Sequence, residues 1–294
     1  MKKSFTNQMT TTRRRQIGAG AFTLTELLVV MGSIVMLVAV LLSVAFTTQE
    51  RVLRAQCTDN LRQIGVGWNM YQQEFNQVMP CHWKGVTENV GGTPANPWET
   101  YEVYRVIPGT GQISSGYDGV GIPDGPWNLA VLFGVKLIPN PKIFYCPALA
   151  DRVGGEFIYE YYATPPNTWP STPPGSSSFI VRVGYNYYPQ LRATELLGNG
   201  QRGPKAAVTP TKWTALDTKK SIVTDVVYSY LTLAHQASGS VAGLNALFPD
   251  GHVVFQNARS HPQDFTIQLW GNPPYNNIGN NPANFRYVMS LWQP

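Results

Sequence analysis

Cysteine is scarce in this 294-residue chain, which holds only Cys57, Cys81 and Cys146. Three thiols allow one disulfide and one free cysteine, and any two of the three can form the bridge on sequence grounds. They lack the close pairing that a zinc site requires. No serine sits in a G-x-S-x-G elbow, so His235, Asp225, Asp250 and the scattered serines amount to no more than composition supplies. We therefore assign no catalytic residue and read the chain as not an enzyme. The body also lacks a basic cluster. The formal charge is +5, but residues 1–21 contain Lys2, Lys3, Arg13, Arg14 and Arg15 and no acid, which leaves 17 basic residues against the 17 acidic ones. A neutral body argues against nucleic acid as a partner, because phosphate-backbone binding neutralises several charges at once.

What the chain does have is a long apolar run. From Phe22 to Phe46 it reads FTLTELLVVMGSIVMLVAVLLSVAF, broken by one charge, Glu26. At about 1.5 Å per residue this is long enough to cross a hydrocarbon core about 30 Å thick. A secretory signal has a shorter apolar region, roughly 7 to 15 residues, followed by a small-residue cleavage site, and this run ends in neither. Arg13 to Arg15 precede the run, so the positive-inside rule predicts a single-pass segment with its N-terminus cytoplasmic and its body outside. Membrane lipid is thus an expected partner. A plain anchor leaves Glu26 unexplained, since an ionisable group in a membrane segment costs a few kcal/mol and normally has a partner or a task.

The string Gly20-Ala21-Phe22-Thr23-Leu24-Thr25-Glu26-Leu27-Leu28-Val29-Val30 resembles the cleavage and methylation signal of type IV prepilins and type II secretion pseudopilins. The resemblance implies a cytoplasmic leader over residues 1–21, cut between Ala21 and Phe22 by a prepilin peptidase that also methylates the new Phe22 amine. Ala21 departs from the glycine usual before the cut. Glu26, fifth in the mature chain, would be the assembly residue, its carboxylate neutralising the N-terminal ammonium of a neighbouring subunit so that both charges tolerate burial. The partners implied are other pilin-like subunits and an inner-membrane assembly platform. The location implied is the bacterial inner membrane, with the body periplasmic, and then a filament in the periplasm or at the cell surface.

Beyond Phe46 the helical period continues. Leu53, Cys57, Leu61, Ile64, Trp68, Tyr71, Phe75 and Val78 follow at steps of three or four, one face of an amphipathic helix that Pro80 ends. Residues 22–46 and 47–79 together predict one helix of about 56 residues. Gly65 and Gly67 weaken it by up to about 1 kcal/mol each, which close packing against a sheet would explain. The segment Arg54 to Gly65, with Phe144-Tyr145-Cys146-Pro147, Gly184-Tyr185-Asn186-Tyr187 and Leu247 to Val253, is similar to an enlarged pseudopilin-like group with a C-terminal His-x(9)-Asp-Gly element. His235 departs from it, with fourteen residues between it and Asp250.

Residues 80–294 read as a globular α+β domain in which the long helix lies across a mainly antiparallel sheet. Strand candidates are 98–107, Phe179 to Tyr188, Lys220 to Tyr230 and a hairpin over Ala246 to Phe255 that turns at Pro249-Asp250-Gly251-His252. Asp124 is placed to cap a short helix over Trp127 to Phe133, stopped by Pro139 and Pro141. Residues 163–178, ATPPNTWPSTPPGSSS, predict an exposed Pro/Ser/Thr loop too poor in apolar groups to pack.

No cofactor is expected. Asp118 and Asp124 in DGVGIPDG sit at spacings faintly like those of a calcium loop, but the central and closing acids of an EF-hand are missing. Asp225 and Asp250 are the other oxygen candidates for a structural calcium, against a simpler reading as turn residues. The function that follows is a structural subunit of a type II secretion pseudopilus or related type IV pilus-like filament, active in protein secretion. The alternatives are a non-polymerising, membrane-anchored binding protein and a minor pilin or adhesin.

Overall fold

The computed structural model describes residues 23–76, 79, 100–107, 112, 125–149, 155–166, 168–177, 180–187, 212–237 and 240–271. The chain divides into two compact units, residues 1–46 and 47–294. In the first unit, helix α1 (Leu24–Glu74) opens with Leu24–Leu41, a stretch long and apolar enough to cross a membrane and fully exposed. Leu27, Leu28, Val29, Val35, Met36, Leu37, Val40 and Leu41 are each at least 60% exposed. That much apolar surface in water is costly, at about 25 cal/mol per Å², so this segment needs a lipid or protein covering.

In the second unit α1 buries one stripe. Cys57, Leu61, Ile64 and Trp68 are fully buried, while Val52, Asp59, Arg62, Val66 and Met70 on the opposite side are exposed. This matches the spacing in the sequence as far as Trp68. The helix ends at Glu74, short of Pro80. Phe75 N donates to Tyr71 O at 2.8 Å, and Asn76 then enters the left-handed region (φ 55°), a conformation asparagine tolerates and one that stops a helix. Gly65 and Gly67 mark the closest approach: a Cβ on Gly65 would stand 3.1 Å from Leu247 Cδ1, and one on Gly67 would stand 2.8 Å from Ile138 Cδ1.

Every strand pairing described is antiparallel. β1 (Glu102–Arg105) pairs β2 (Ile180–Arg182). A five-stranded sheet comprises β3 (Tyr185–Tyr187), β4 (Val223–Asp225), β5 (His235–Ala237), β6 (Ser240–Leu247) and β7 (Val253–Asn257). β6 is its spine. β7 runs along one edge of β6, with Leu247 opposite Val253, and β5 and β4 follow one another along the other edge, at Gly243 and at Ala246 and Leu247. The turn between β6 and β7 forms at Asp250 and Gly251, with Phe248 N bonded to His252 O and Gly251 in the left-handed region (φ 89°). The run from Phe179 to Tyr188 divides into β2 and β3 because the Gly184 N–H leaves the ladder for Phe144 O. The short helix after Trp127 is a turn over Asn128–Ala130 leading into α2 (Val131–Gly134), and Asp124 lies outside the described residues.

Successive β6 side chains face opposite ways, as a strand requires. Leu244 and Ala246 join a cluster with Phe248, Phe265 and Trp270, the last on α3 (Ile267–Trp270). Leu247 belongs to the larger core beneath α1, where Trp68 stacks on Tyr187 at 5.0 Å. The loop expected to be exposed over 163–178 is exposed at Pro165, Pro166 and Thr168 but buries Trp169, Ser171 and Thr172. Trp169 meets Phe133 and Tyr104 edge-on, and its Nε1 donates to Tyr145 Oη at 2.8 Å. One large aromatic is enough to anchor a segment whose average composition is polar.

A Cys57–Cys146 disulfide joins α1 to the loop after a 3-10 turn at Pro141–Phe144. This settles a pairing the sequence left open, and Cys81 lies outside the described residues. Closing a loop with a sequence separation of 89 removes about 4–5 kcal/mol of unfolded-state entropy in the chain-entropy account.

Candidate functional site

Two places in the molecule carry groups that packing alone does not explain. The first is the start of α1. Ala21 and Phe22 lie outside the described residues. Glu26 is exposed, and its Oε2 accepts from Thr23 N and from Thr23 Oγ1, both at 2.8 Å, while Glu26 N donates back to Thr23 Oγ1 at 3.2 Å. This is a reciprocal capping box, a Thr-x-x-Glu pattern that satisfies orphan amides at a helix start. Thr23-Leu24-Thr25-Glu26 was the signal for it. Glu26 therefore has a local structural role whatever else it does.

The second place is a buried polar cluster between α1 and the sheet. β6 brings it together: Asn245 points to the α1 side, and its neighbours across the shared edge are β5 with His235 and β4 with Asp225. His235, Asp225 and Asn245 are all fully buried. His235 Nδ1 lies 3.1 Å from Glu50 Oε1 on α1. Its Nε2 lies 3.4 Å from Asp225 Oδ2, 2.8 Å from Asn245 Nδ2 and 3.8 Å from Cys146 Sγ. Asp225 Oδ2 also accepts from Asn245 N at 2.6 Å and Asn245 Nδ2 at 3.1 Å. The Thr58 hydroxyl, on α1, donates to Arg54 O and reaches Asn245 Oδ1. Phe255 stands edge-on to the His235 ring, with the Arg54 guanidinium 4.4 Å over its own face.

The proton on His235 follows from these neighbours. With a hydrogen on Nδ1 alone, the neutral ring donates to Glu50 and accepts from the Asn245 amide. The doubly protonated ring gives Nε2–H to Asp225, and the Asn245 amide has to turn. Burial by itself pushes the ring toward neutrality, but the Asp225 and Glu50 carboxylates outweigh it and hold the pKa up at about 9. The ring thus sits between two acidic side chains, one on the helix and one on the sheet, that favour its protonated form.

As chemistry it is a clamp. None of the polar partners described for His235 is a serine, and Cys57 and Cys146 are spent in their bond. The structure thus brings His235 and Asp225 together and leaves Asp250 elsewhere: Asp250 Oδ1 accepts from His252 N at 3.0 Å and contacts His252 Nδ1 within the β6–β7 turn. Of the four aspartates named for calcium, Asp250 serves its own turn and Asp225 accepts from Asn245 across the sheet, with Asp225 Oδ1 left without a partner among the described residues. Asp118 and Asp124 lie outside those residues. The fourteen residues between His235 and Asp250 are taken up by the β5–β6 hairpin, which returns the chain to His235 at Asn245.

Glu50 and Asn245 went unassigned in the sequence, though both carried a signal. Glu50 stands seven residues before Cys57 on the buried stripe, where an acid needs a partner. Asn245 is two residues before the core Leu247 and so shares its inward face. No protein-family model, no curated protein and no solved structure matches this chain.

Proposed function

We propose that the chain is a pilin-like subunit of a type II secretion pseudopilus or related filament, processed before Phe22 and assembled through the exposed half of α1. The observation that carries this reading is the combination in one helix of a fully exposed apolar stretch with a single acid in its first turn. In lipid that stretch is an anchor; in a filament it packs against the same stretch of neighbouring subunits, and Glu26 meets a neighbour's N-terminal ammonium. The Arg13–Arg15 cluster keeps the leader cytoplasmic and sends the body across the membrane. A buried disulfide in the body fits an oxidising compartment. The α+β body, with a helix docked on an antiparallel sheet, is the part that would face other subunits or cargo.

The capping box shapes the test. Glu26→Ala removes both the charge and the cap, so a defect would be ambiguous. Glu26→Gln keeps an acceptor for Thr23 and removes only the charge. The expected result is normal membrane insertion with loss of cross-linkable oligomers, alongside an N-terminus at methylated Phe22 by mass spectrometry of the wild type. If Glu26→Gln assembles like wild type, the charge-pairing account is wrong, and a membrane-anchored binding protein becomes the better reading. A mature chain that still begins at Met1 sinks the processing step.

A further inference from the structure

The sulfurs of Cys57 and Cys146, a carboxylate oxygen of Asp225 and an imidazole nitrogen of His235 all lie within 4.8 Å of one another and are buried. We propose that, when the disulfide is reduced, these four side chains bind one Zn2+, so that the bond and the metal are alternative occupants of one site. The proposal is independent of the filament reading.

Two of the separations are close to those of a tetrahedral site. With Zn–S about 2.3 Å and Zn–N about 2.0–2.1 Å, sulfur and nitrogen ligands sit roughly 3.6 Å apart, and an oxygen and a nitrogen roughly 3.3 Å. The observed separations are 3.8 Å for Cys146 Sγ to His235 Nε2 and 3.4 Å for Asp225 Oδ2 to the same nitrogen. The two sulfurs must part to roughly 3.8 Å, and breaking their bond permits that. The outer shell is already in place. Glu50 holds Nδ1, which leaves Nε2 as the ligating nitrogen, the carboxylate–histidine–metal arrangement that orients ligands in zinc sites. Asn245 N and Nδ2 hold Asp225 Oδ2, the oxygen near His235, while Asp225 Oδ1 has no hydrogen-bond partner among the described residues. At Nε2 the ion takes the place of the contacts with Asn245 Nδ2 and Asp225 Oδ2.

A trialkylphosphine breaks the S–S bond, takes oxygen from water to become the phosphine oxide, and leaves two thiols; Zn2+ then displaces both thiol protons and the proton on His235 Nε2 to solvent. A newly made chain, before oxidation, presents the same two thiols.

The test uses the full-length chain in detergent micelles, carrying Cys81→Ala so that no third thiol competes. Reduced with phosphine and titrated with Co2+, it should bind one ion per chain, with thiolate-to-cobalt charge-transfer absorption and the visible bands of a tetrahedral site, and one equivalent of Zn2+ should displace it. The oxidised chain should bind at least about 100-fold more weakly, and Asp225→Asn should lower the affinity of the reduced chain about 10- to 100-fold. If reduction alone unfolds the body, Zn2+ should restore the far-UV circular dichroism of the oxidised protein, since binding and folding are then one event. The proposal is overturned if the reduced chain takes up no stoichiometric Co2+, if reduced and oxidised chains bind equally, if zinc fails to refold an unfolded reduced body, or if a Cys57→Ser/Cys146→Ser variant binds as well as the reduced chain.

Discussion

His235 makes the stability of the oxidised, metal-free body depend on pH with a sign opposite to that of the usual acid-labile carboxylate. In the unfolded chain its ring has an ordinary pKa near 6.5, and in the folded chain the two flanking carboxylates raise it to about 9. A folded-state pKa raised above the unfolded one adds stability that is fully present below about pH 6.5 and is lost as pH rises through about 9. The proton is held roughly two and a half powers of ten more tightly in the folded state. At about 1.4 kcal/mol for each, the contribution at stake is about 3 kcal/mol. The assay is urea unfolding followed by tryptophan fluorescence at a series of pH values, with wild type and His235→Gln in parallel. Wild type should lose about 3 kcal/mol more than the variant across the window, and the variant should start lower. Groups that titrate elsewhere in the body affect both proteins and cancel in the difference. Equal slopes for the two proteins between about pH 6.5 and 10 would refute the imidazolium clamp and favour the neutral ring accepting from Asn245.

Two further outcomes follow from packing. Gly67→Ala should destabilise the body by about 1–3 kcal/mol although alanine is the better helix former, because its Cβ would stand 2.8 Å from Ile138 Cδ1 and 3.3 Å from Leu132 Cδ1, both on buried side chains; denaturant midpoints measure this, and adding Ile138→Val should recover part of the loss. Trp169→Ala should cost about 3–5 kcal/mol and Trp169→Phe distinctly less, the latter losing mainly the hydrogen bond to Tyr145; a neutral Trp169→Ala in thermal unfolding would mean the loop is as loosely held as its composition suggests.

The periodic features were legible before any coordinates. The apolar run, the buried stripe from Cys57 to Trp68 and the turn at Asp250 and Gly251 each depend on short-range spacing, and the structure places all three as read. The clamp was half legible. His235 and Asp225 stood together in the sequence only as members of a set that composition supplies, because their meeting depends on β6 receiving β5 and β4 along one edge, a long-range fact with no local signature. The failures have the same origin. Composition placed 163–178 in solvent because fifteen of its residues outvote one tryptophan, whereas burial is decided by the one that finds a pocket. The stop at Glu74 was missed because asparagine, a tolerable helix residue, ends this helix by entering the left-handed region ahead of the more obvious Pro80.

The Cys57–Cys146 bond has a mechanical meaning as well as a thermodynamic one. A pull applied through α1 reaches Cys57 and passes by covalent bonds directly to Cys146, so the chain between them bears no load. That stretch, with a sequence separation of 89 and roughly 300 Å long when extended, cannot be drawn out however far the rest of the body is stretched. The strand pair β1–β2 has only its first member inside that sheltered loop, and the five-stranded sheet lies wholly outside it, so under tension the sheet is exposed to the load while the chain from Cys57 to Cys146 keeps its length.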